Sequence, residues 1–234
     1  LSGIAYYFHA RRTENAVLDL KVFEEPIYRT SIIAGFIYRV AGGAFPFLFP
    51  LMLQVGFGYS PFESGMISFI GAGGAILMKF FLKPALQVFG FRILLIVGVA
   101  MSALLAVTHG FFTAQTPIWL IMSILLFMGF FRSMYYTSLN TLTFAETPEN
   151  QSGSATVISS VSIQLAFALG VAFAALLLDV FSLINGTEVG VREMQLAFFI
   201  LAAITALAMI PILGLSKQVG DDVAGHKAKV KPLA

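Results

Sequence analysis

Six long apolar stretches, each close to the length of a membrane crossing, decide what this chain can fold into; they run over residues 28–55, 61–82, 93–113, 117–142, 154–178 and 194–215. A hydrocarbon core about 30 Å thick is crossed by about 20 mostly apolar residues in helical form, because unpaired backbone groups are intolerable in lipid. Tyr59-Ser60-Pro61 breaks the first stretch from the second. The polar remainder is too small to cover a water-facing surface: 11% of the residues are charged, where soluble domains carry roughly 25%. The expectation is an all-α integral membrane protein, a six-transmembrane-helix bundle in contact with membrane lipid.

The bundle occupies residues 28–215, with a cytoplasmic leader at 1–27 and a polar cytoplasmic tail at 216–234. Residues 1–8 are apolar but too short to span, and the basic residues Arg11 and Arg12 follow them, the wrong side for a signal peptide. They read as the end of a span that begins upstream, and the chain as a fragment. Basic residues accumulate in cytoplasmic loops. Eleven of the 14 lie in the leader up to Arg29, in the connection holding Lys79, Lys83 and Arg92, or in the tail from Lys217. Arg192 alone lies on the other side, and Arg39 and Arg132 lie inside spans. Both ends of the bundle are therefore expected to be cytoplasmic, and an even number of spans, which puts both ends on one side, is consistent with that.

Several chemistries are excluded or unsupported. With no cysteine there is no disulfide, thiolate metal site or cysteine nucleophile. A net charge of +2 without a clustered basic face gives no nucleic-acid footprint. His9, His109 and His226 stand isolated, so no metal site is expected. HExxH, G-x-S-x-G and paired intramembrane carboxylates are absent, and so is a phosphate-binding loop. The sequence implies no cofactor and no enzyme, and any energy source would be an ion gradient or lie in another part of the protein.

Two polar clusters lie inside the spans. Arg39 sits near the bilayer midplane, where a charge is costly unless it faces protein or a water-filled cavity. Pro46 and Pro50 follow on the same span and interrupt its hydrogen-bond ladder, marking a helix bend. In the fourth span Arg132, Tyr136 and Asn140 repeat every four residues beside a row of Ser133, Thr137 and Thr141. This long polar face reads as the cytoplasmic half of a cavity, or as a polar seam between helices. The fifth span opens on Ser152, Thr156, Ser160 and Gln164 at the same spacing. Such hydroxyls commonly bond their own backbone, whereas Gln164 lies deepest and is hardest to satisfy locally. Glu63 fits a capping box with Ser60, and Asp179, Glu146 and Glu149 read as solvated. Gly42-Gly43, Gly71 to Gly74, Gly98 and Gly170 with Ala174 mark close helix approach. Arg39, Arg132, Tyr136, Asn140 and Gln164 are the cavity or gating candidates.

Asp19-Leu20-Lys21-Val22-Phe23, followed by the run from Gly43-Ala44-Phe45-Pro46 to Gly58-Tyr59-Ser60-Pro61, resembles the opening of the C-terminal bundle in fourteen-span drug:proton antiporters of the major facilitator superfamily. Arg132-Ser133 to Thr137, Asn140-Thr141-Leu142 and the run from Ser154 to Ala172 are similar to its later spans. The resemblance implies the C-terminal half of that fold, the six spans here being its last six. It further implies a proton-coupled exporter of small hydrophobic or cationic substrates in the cytoplasmic (inner) membrane, working by alternating access against an N-terminal bundle absent from this chain. A superfamily loop pattern, Gly-x-x-x-Asp-Arg-x-Gly, is echoed only in remnant by Lys83, Gln87, Gly90 and Arg92, with Gln87 where the acid stands. The alternative is a self-associating six-span scaffold or channel module without active transport.

Overall fold

Pro26 opens the first membrane helix, α1 (Pro26–Leu51), its missing N–H costing nothing at a position that has no intrahelical acceptor. The computed structural model describes residues 20–145, 147, 151–186, 188–216 and 219–220. The expectations for residues 1–8, for His9 and His226, for Glu146 and Glu149, and for most of the tail lie outside the described residues. A short 3₁₀ turn, Leu20–Glu24, precedes α1. Phe23 packs edge-on against Tyr28 at 5.6 Å, and the Tyr28 hydroxyl donates to the carbonyl of Ala155 at 2.9 Å, tying this end of α1 to a later helix. Pro46 and Pro50 lie inside α1, and the ladder passes to π pitch over Met52–Gly56 directly after them.

The next helix, α2 (Pro61–His109), begins at a capping box: the Ser60 hydroxyl accepts from the Glu63 amide, and the Ser60 amide donates to Glu63 Oε2 at 2.9 Å. Its 49 residues would reach about 74 Å if straight, more than twice a bilayer core. Gly90 breaks it with φ 72° and ψ 169°, a backbone state that glycine takes without strain. The arms on either side fold back on each other, since Met78 and Leu94 share one buried cluster with Met134. The remaining helices are α3 (Ile118–Ala145), α4 (Ser152–Asn185), α5 (Val191–Leu207) and α6 (Met209–Leu213).

Five helical stretches have the length and apolar composition to cross a membrane, and the reversal at Gly90 makes the longest of them two crossings. The result is the expected six-helix bundle, with one difference. The connection expected at 83–92 is helical through residue 89. Lys79 and Lys83 end the hydrophobic stretch, but a helix continues past the lipid surface until a residue suited to reversing the chain arrives, which is Gly90. Beyond the break, Arg92 Nη2 donates to the carbonyl of Leu213 at 3.0 Å, placing a cation on the last carbonyls of α6.

Packing follows from small residues rather than from hydrophobic expulsion, because lipid is as apolar as the core. Gly74 lies against the backbone of Leu126, and Gly129 against the backbone of Gly71, so α2 and α3 touch main chain to main chain. Gly43 meets Phe167 and Gly170 meets Val40 in the same manner between α1 and α4. Between these crossings lies a buried cluster of Leu48, Phe49, Met52, Ile121, Met194 and Phe198 with their neighbours. α1 therefore lies at the centre, with α3 antiparallel on one flank and α4 parallel on the other.

Candidate functional site

Arg39 sits thirteen residues into α1, about 20 Å of helix rise from Pro26, and is 6% exposed. Its guanidinium lies back against Gly35, one turn earlier, in space that any side chain would fill: an added Cβ there would meet Arg39 Nη1 and come within 2.9 Å of Leu139 Cδ2. Ser31, Gly35 and Arg39 thus form one stripe at four-residue spacing along the face of α1 that meets α3.

α3 runs antiparallel to α1, which brings residues with complementary numbers together. Arg39 Nη2 donates to Asn140 Oδ1 at 2.8 Å. Arg39 Cζ lies 5.2 Å from the centroid of the Tyr136 ring, whose negative face suits a cation. Two turns back along α3, Arg132 Cζ lies 5.8 Å from the ring of Phe45 on α1. The fold therefore gathers Arg39, Tyr136 and Asn140 into one contact set and places Arg132 one turn beyond it. Gln164 is exposed on α4, past Ser160, and is not among the residues lining the cavity beside Arg39. Lys83 and Gln87 are exposed on the outer extension of α2, away from the cluster.

Beside Tyr136, which the sequence marked, the fold buries further hydroxyls on α1, α2 and α3 that it did not. Tyr38 stacks on Tyr135 at 4.0 Å, and its hydroxyl donates to Ser102 Oγ at 2.7 Å. The hydroxyl oxygens of Ser31, Tyr135, Tyr136 and Ser138 are buried without a hydrogen-bond partner among the described residues. Buried polar groups are normally satisfied, so these four hydroxyls call for partners such as water beyond the described residues. The spacing of Ser31, Gly35 and Arg39 is the signal that could have revealed part of this set. Tyr38 carried none, because a tyrosine next to an arginine in sequence points to a different helix face.

Two concavities flank the cluster. One, of about 210 Å³, lies between α1, α3 and α4 and is lined by Ser31, Arg39, Asn140, Thr143, Ser159 and Ser160 among others. The other, of about 530 Å³, opens between α1 and α2; Phe45, Pro46, Phe49, Pro50, Phe69 and Arg132 line it. The two prolines thus stand on the wall of the apolar cleft. Thr156 and Ser160 donate back to the carbonyls of Ser152 and Thr156, so their donors are spent locally while their lone pairs stay open. Another buried polar residue, His109, lies in a cage of Phe45, Phe49, Phe112 and Phe198 at 5.0–5.5 Å, and its Nδ1 donates to the Leu105 carbonyl. Among the described residues no group of three metal-ligating side chains occurs.

A polar patch and an apolar cleft thus lie inside a helical bundle, and comparison with known proteins gives its family. The family model for the Major Facilitator Superfamily matches residues 31–233. The chain belongs to the Major Facilitator Superfamily. It is a multi-pass membrane protein of a transporter family. It is 30% identical over 230 residues to the "Putative multidrug resistance protein MdtD" of Pectobacterium carotovorum subsp. carotovorum strain PC1, covering 98% of this chain and 48% of that protein. Proteins of the same description are 28% identical in Pectobacterium atrosepticum, over 99% of this chain and 48% of the relative, and 30% identical in Serratia proteamaculans, over 78% and 39%. The chain spans about half the length of the first two of these relatives.

Proposed function

We propose that this bundle is one half of a proton-coupled exporter of small molecules in the bacterial inner membrane, rocking against a second bundle so that a midplane cavity opens to each side in turn. The observation that carries the reading is Arg39: a charge buried at mid-membrane, held by Asn140 and the face of Tyr136 beside a polar cavity. A charge at such a depth costs about 3 kcal/mol on insertion scales, and chains that keep one use it.

The second bundle supplies the other wall of the cavity and the proton-binding carboxylates. Exposed Thr137, Asn140 and Thr141 on α3 and Thr156, Ser160 and Gln164 on α4 support this arrangement, since polar side chains on the outside of a membrane bundle call for a polar neighbour or water. The bundle is residues 28–215, and its leader, the Gly90 reversal and its tail face the cytoplasm, following the distribution of Lys and Arg. Pro46 and Pro50 give the helix its bend at the cleft, and Arg132 gates it. Lys83, Gln87, Gly90 and Arg92 form the cytoplasmic latch, with the Arg92 contact to Leu213 standing in for the missing acid.

The test is uptake of a fluorescent hydrophobic probe into inside-out membrane vesicles carrying the protein expressed from its own gene. An imposed pH gradient is expected to drive accumulation, and Arg39→Ala to abolish it while membrane insertion is retained. Equal accumulation by wild type and Arg39→Ala would make Arg39 a packing residue. Passive conductance in planar bilayers without a gradient would instead favour a channel module.

A further inference from the structure

The charges on the walls of the polar cavity and the apolar cleft are of one sign. Arg39 and Arg132 stand on the walls of the two concavities, and no acid among the described residues lines either one. The described acids lie toward helix ends or in connections: Glu63 caps α2, Asp179 is exposed toward the end of α4, and Glu193 at the start of α5 accepts from Asn185 and from the Gly190 amide. Arg39 is nevertheless buried, and its recorded partners are neutral, one amide oxygen and one ring face.

A guanidinium carries five donors in a planar fork that matches a carboxylate or sulfonate in two parallel bonds. The recorded hydrogen bond to Asn140 uses one of them. The cavity beside it, at about 210 Å³, is several times the roughly 30 Å³ that one water occupies. Its wall adds the hydroxyl of Ser31, 1% exposed and without a partner. Thr143, Thr156 and Ser160 on the same wall donate to their own helices, so the donors left for a ligand are those of the guanidinium and of Ser31, and with no acid among the described residues on that wall the missing element is a negative charge. An organic cation placed there would meet a like charge with no carboxylate among the described residues on the cavity wall to offset it.

We infer that the Arg39 cavity is the head-group site for an amphiphilic organic anion, a carboxylate or sulfonate on an apolar body, so that the exported compounds are hydrophobic acids in their ionised form rather than cations. The inference deepens the export reading and rests on it for the direction of movement, but the binding preference stands by itself. Arg39 takes the anion in a forked pair, Asn140 holds the guanidinium plane in place, and the apolar body occupies the Phe45, Phe49 and Phe69 cleft about two turns away along α3.

Equilibrium binding of three matched probes to the protein expressed from its own gene and held in lipid nanodiscs tests this: 2-naphthoate, 2-naphthalenemethanol and 2-naphthylmethylammonium. The naphthoate is expected to bind at least about tenfold tighter than the alcohol, and the ammonium more weakly than either. Arg39→Gln is expected to erase the anion preference and leave the alcohol unchanged. Asn140→Asp keeps the arginine but gives it an internal carboxylate, and is expected to erase the same preference, which covers the case in which Arg39→Gln does not fold. Anion preference surviving in either variant overturns the inference, as does tighter binding of the ammonium by the wild type, the result expected if a carboxylate of the second bundle already pairs with Arg39. The same probes in vesicles with an imposed pH gradient separate the two claims. Driven uptake of the ammonium alone retains export and overturns the anion site, whereas Arg39-dependent naphthoate binding with no driven uptake of any probe retains the site and overturns export.

Discussion

Gly35 controls where the Arg39 guanidinium lies, because its missing side chain is the space the guanidinium fills. Gly35→Ala would press on Nη1 and on Leu139 Cδ2 without touching any backbone, shifting the guanidinium whose Nη2 donates to Asn140, and the end of a long side chain moves at little cost. We expect driven uptake to fall by at least about tenfold, the usual result of displacing a positioning group by about 1 Å, with membrane yield close to wild type; uptake assays alongside immunoblots check both. Arg132 behaves differently, since its planar cation stacks over Phe45. Arg132→Lys keeps the charge and loses the stacked plane, so uptake should drop nearly as far as in Arg132→Ala; near-normal uptake would mean that charge alone matters. The Arg39–Tyr136–Asn140 set was legible in sequence because an intramembrane arginine and a four-residue polar row are rare and regular. Tyr38, Ser102 and the orphaned hydroxyl of Tyr135 were not, since contacts of α1 with α3 and with the arm of α2 after Gly90 depend on a register that periodicity within one helix does not encode.

Helix pairs in this bundle meet through glycines, and each glycine's tolerance follows from what lies opposite. Gly129 faces the Gly71 carbonyl and Gly74 faces the Leu126 carbonyl, so a side chain at either position has to push main chain away from main chain. Gly129→Leu and Gly74→Leu are expected to cut folded protein in the membrane severely, whereas Gly153→Ala, with nothing within 4 Å, should leave it unchanged; fluorescence size-exclusion profiles measure this. Gly90 is a separate case, with open space around it and φ at 72°. Gly90→Ala and Gly90→Asn should each destabilise by about 1–3 kcal/mol through backbone strain alone, because φ 72° with ψ 169° lies in a region that essentially only glycine occupies, read as a shift in thermal unfolding. The spans themselves were readable from apolar length to within a few residues at most ends. The 83–92 connection was not, because hydropathy reports where lipid ends and says nothing of where a helix stops; Gly90 does that.

At the scale of the whole molecule, the described bundle presents polar residues on an outer face and keeps both of its embedded cations on the walls of concavities. That distribution suits half of a machine whose other half lies across a wet cavity, and the chain's span of about half the length of its relatives fits the same account. On this account the polypeptide in its native membrane has a mass near twice the 25.3 kDa of the present chain, which intact mass spectrometry checks. The central claim is that the face holding Arg39, Asn140 and Ser160 is in water at mid-membrane and is exposed to the two sides in turn. The chain has no cysteine, so a single one introduced by Ser160→Cys in α4 is an unambiguous reporter within it. The decisive measurement is its labelling by a membrane-impermeant thiol reagent in right-side-out and inside-out vesicles, with and without a pH gradient. The account predicts labelling from both sides, with the balance between them shifted by the gradient. No labelling from either side would place this face in lipid or in a dry helix seam and contradict it.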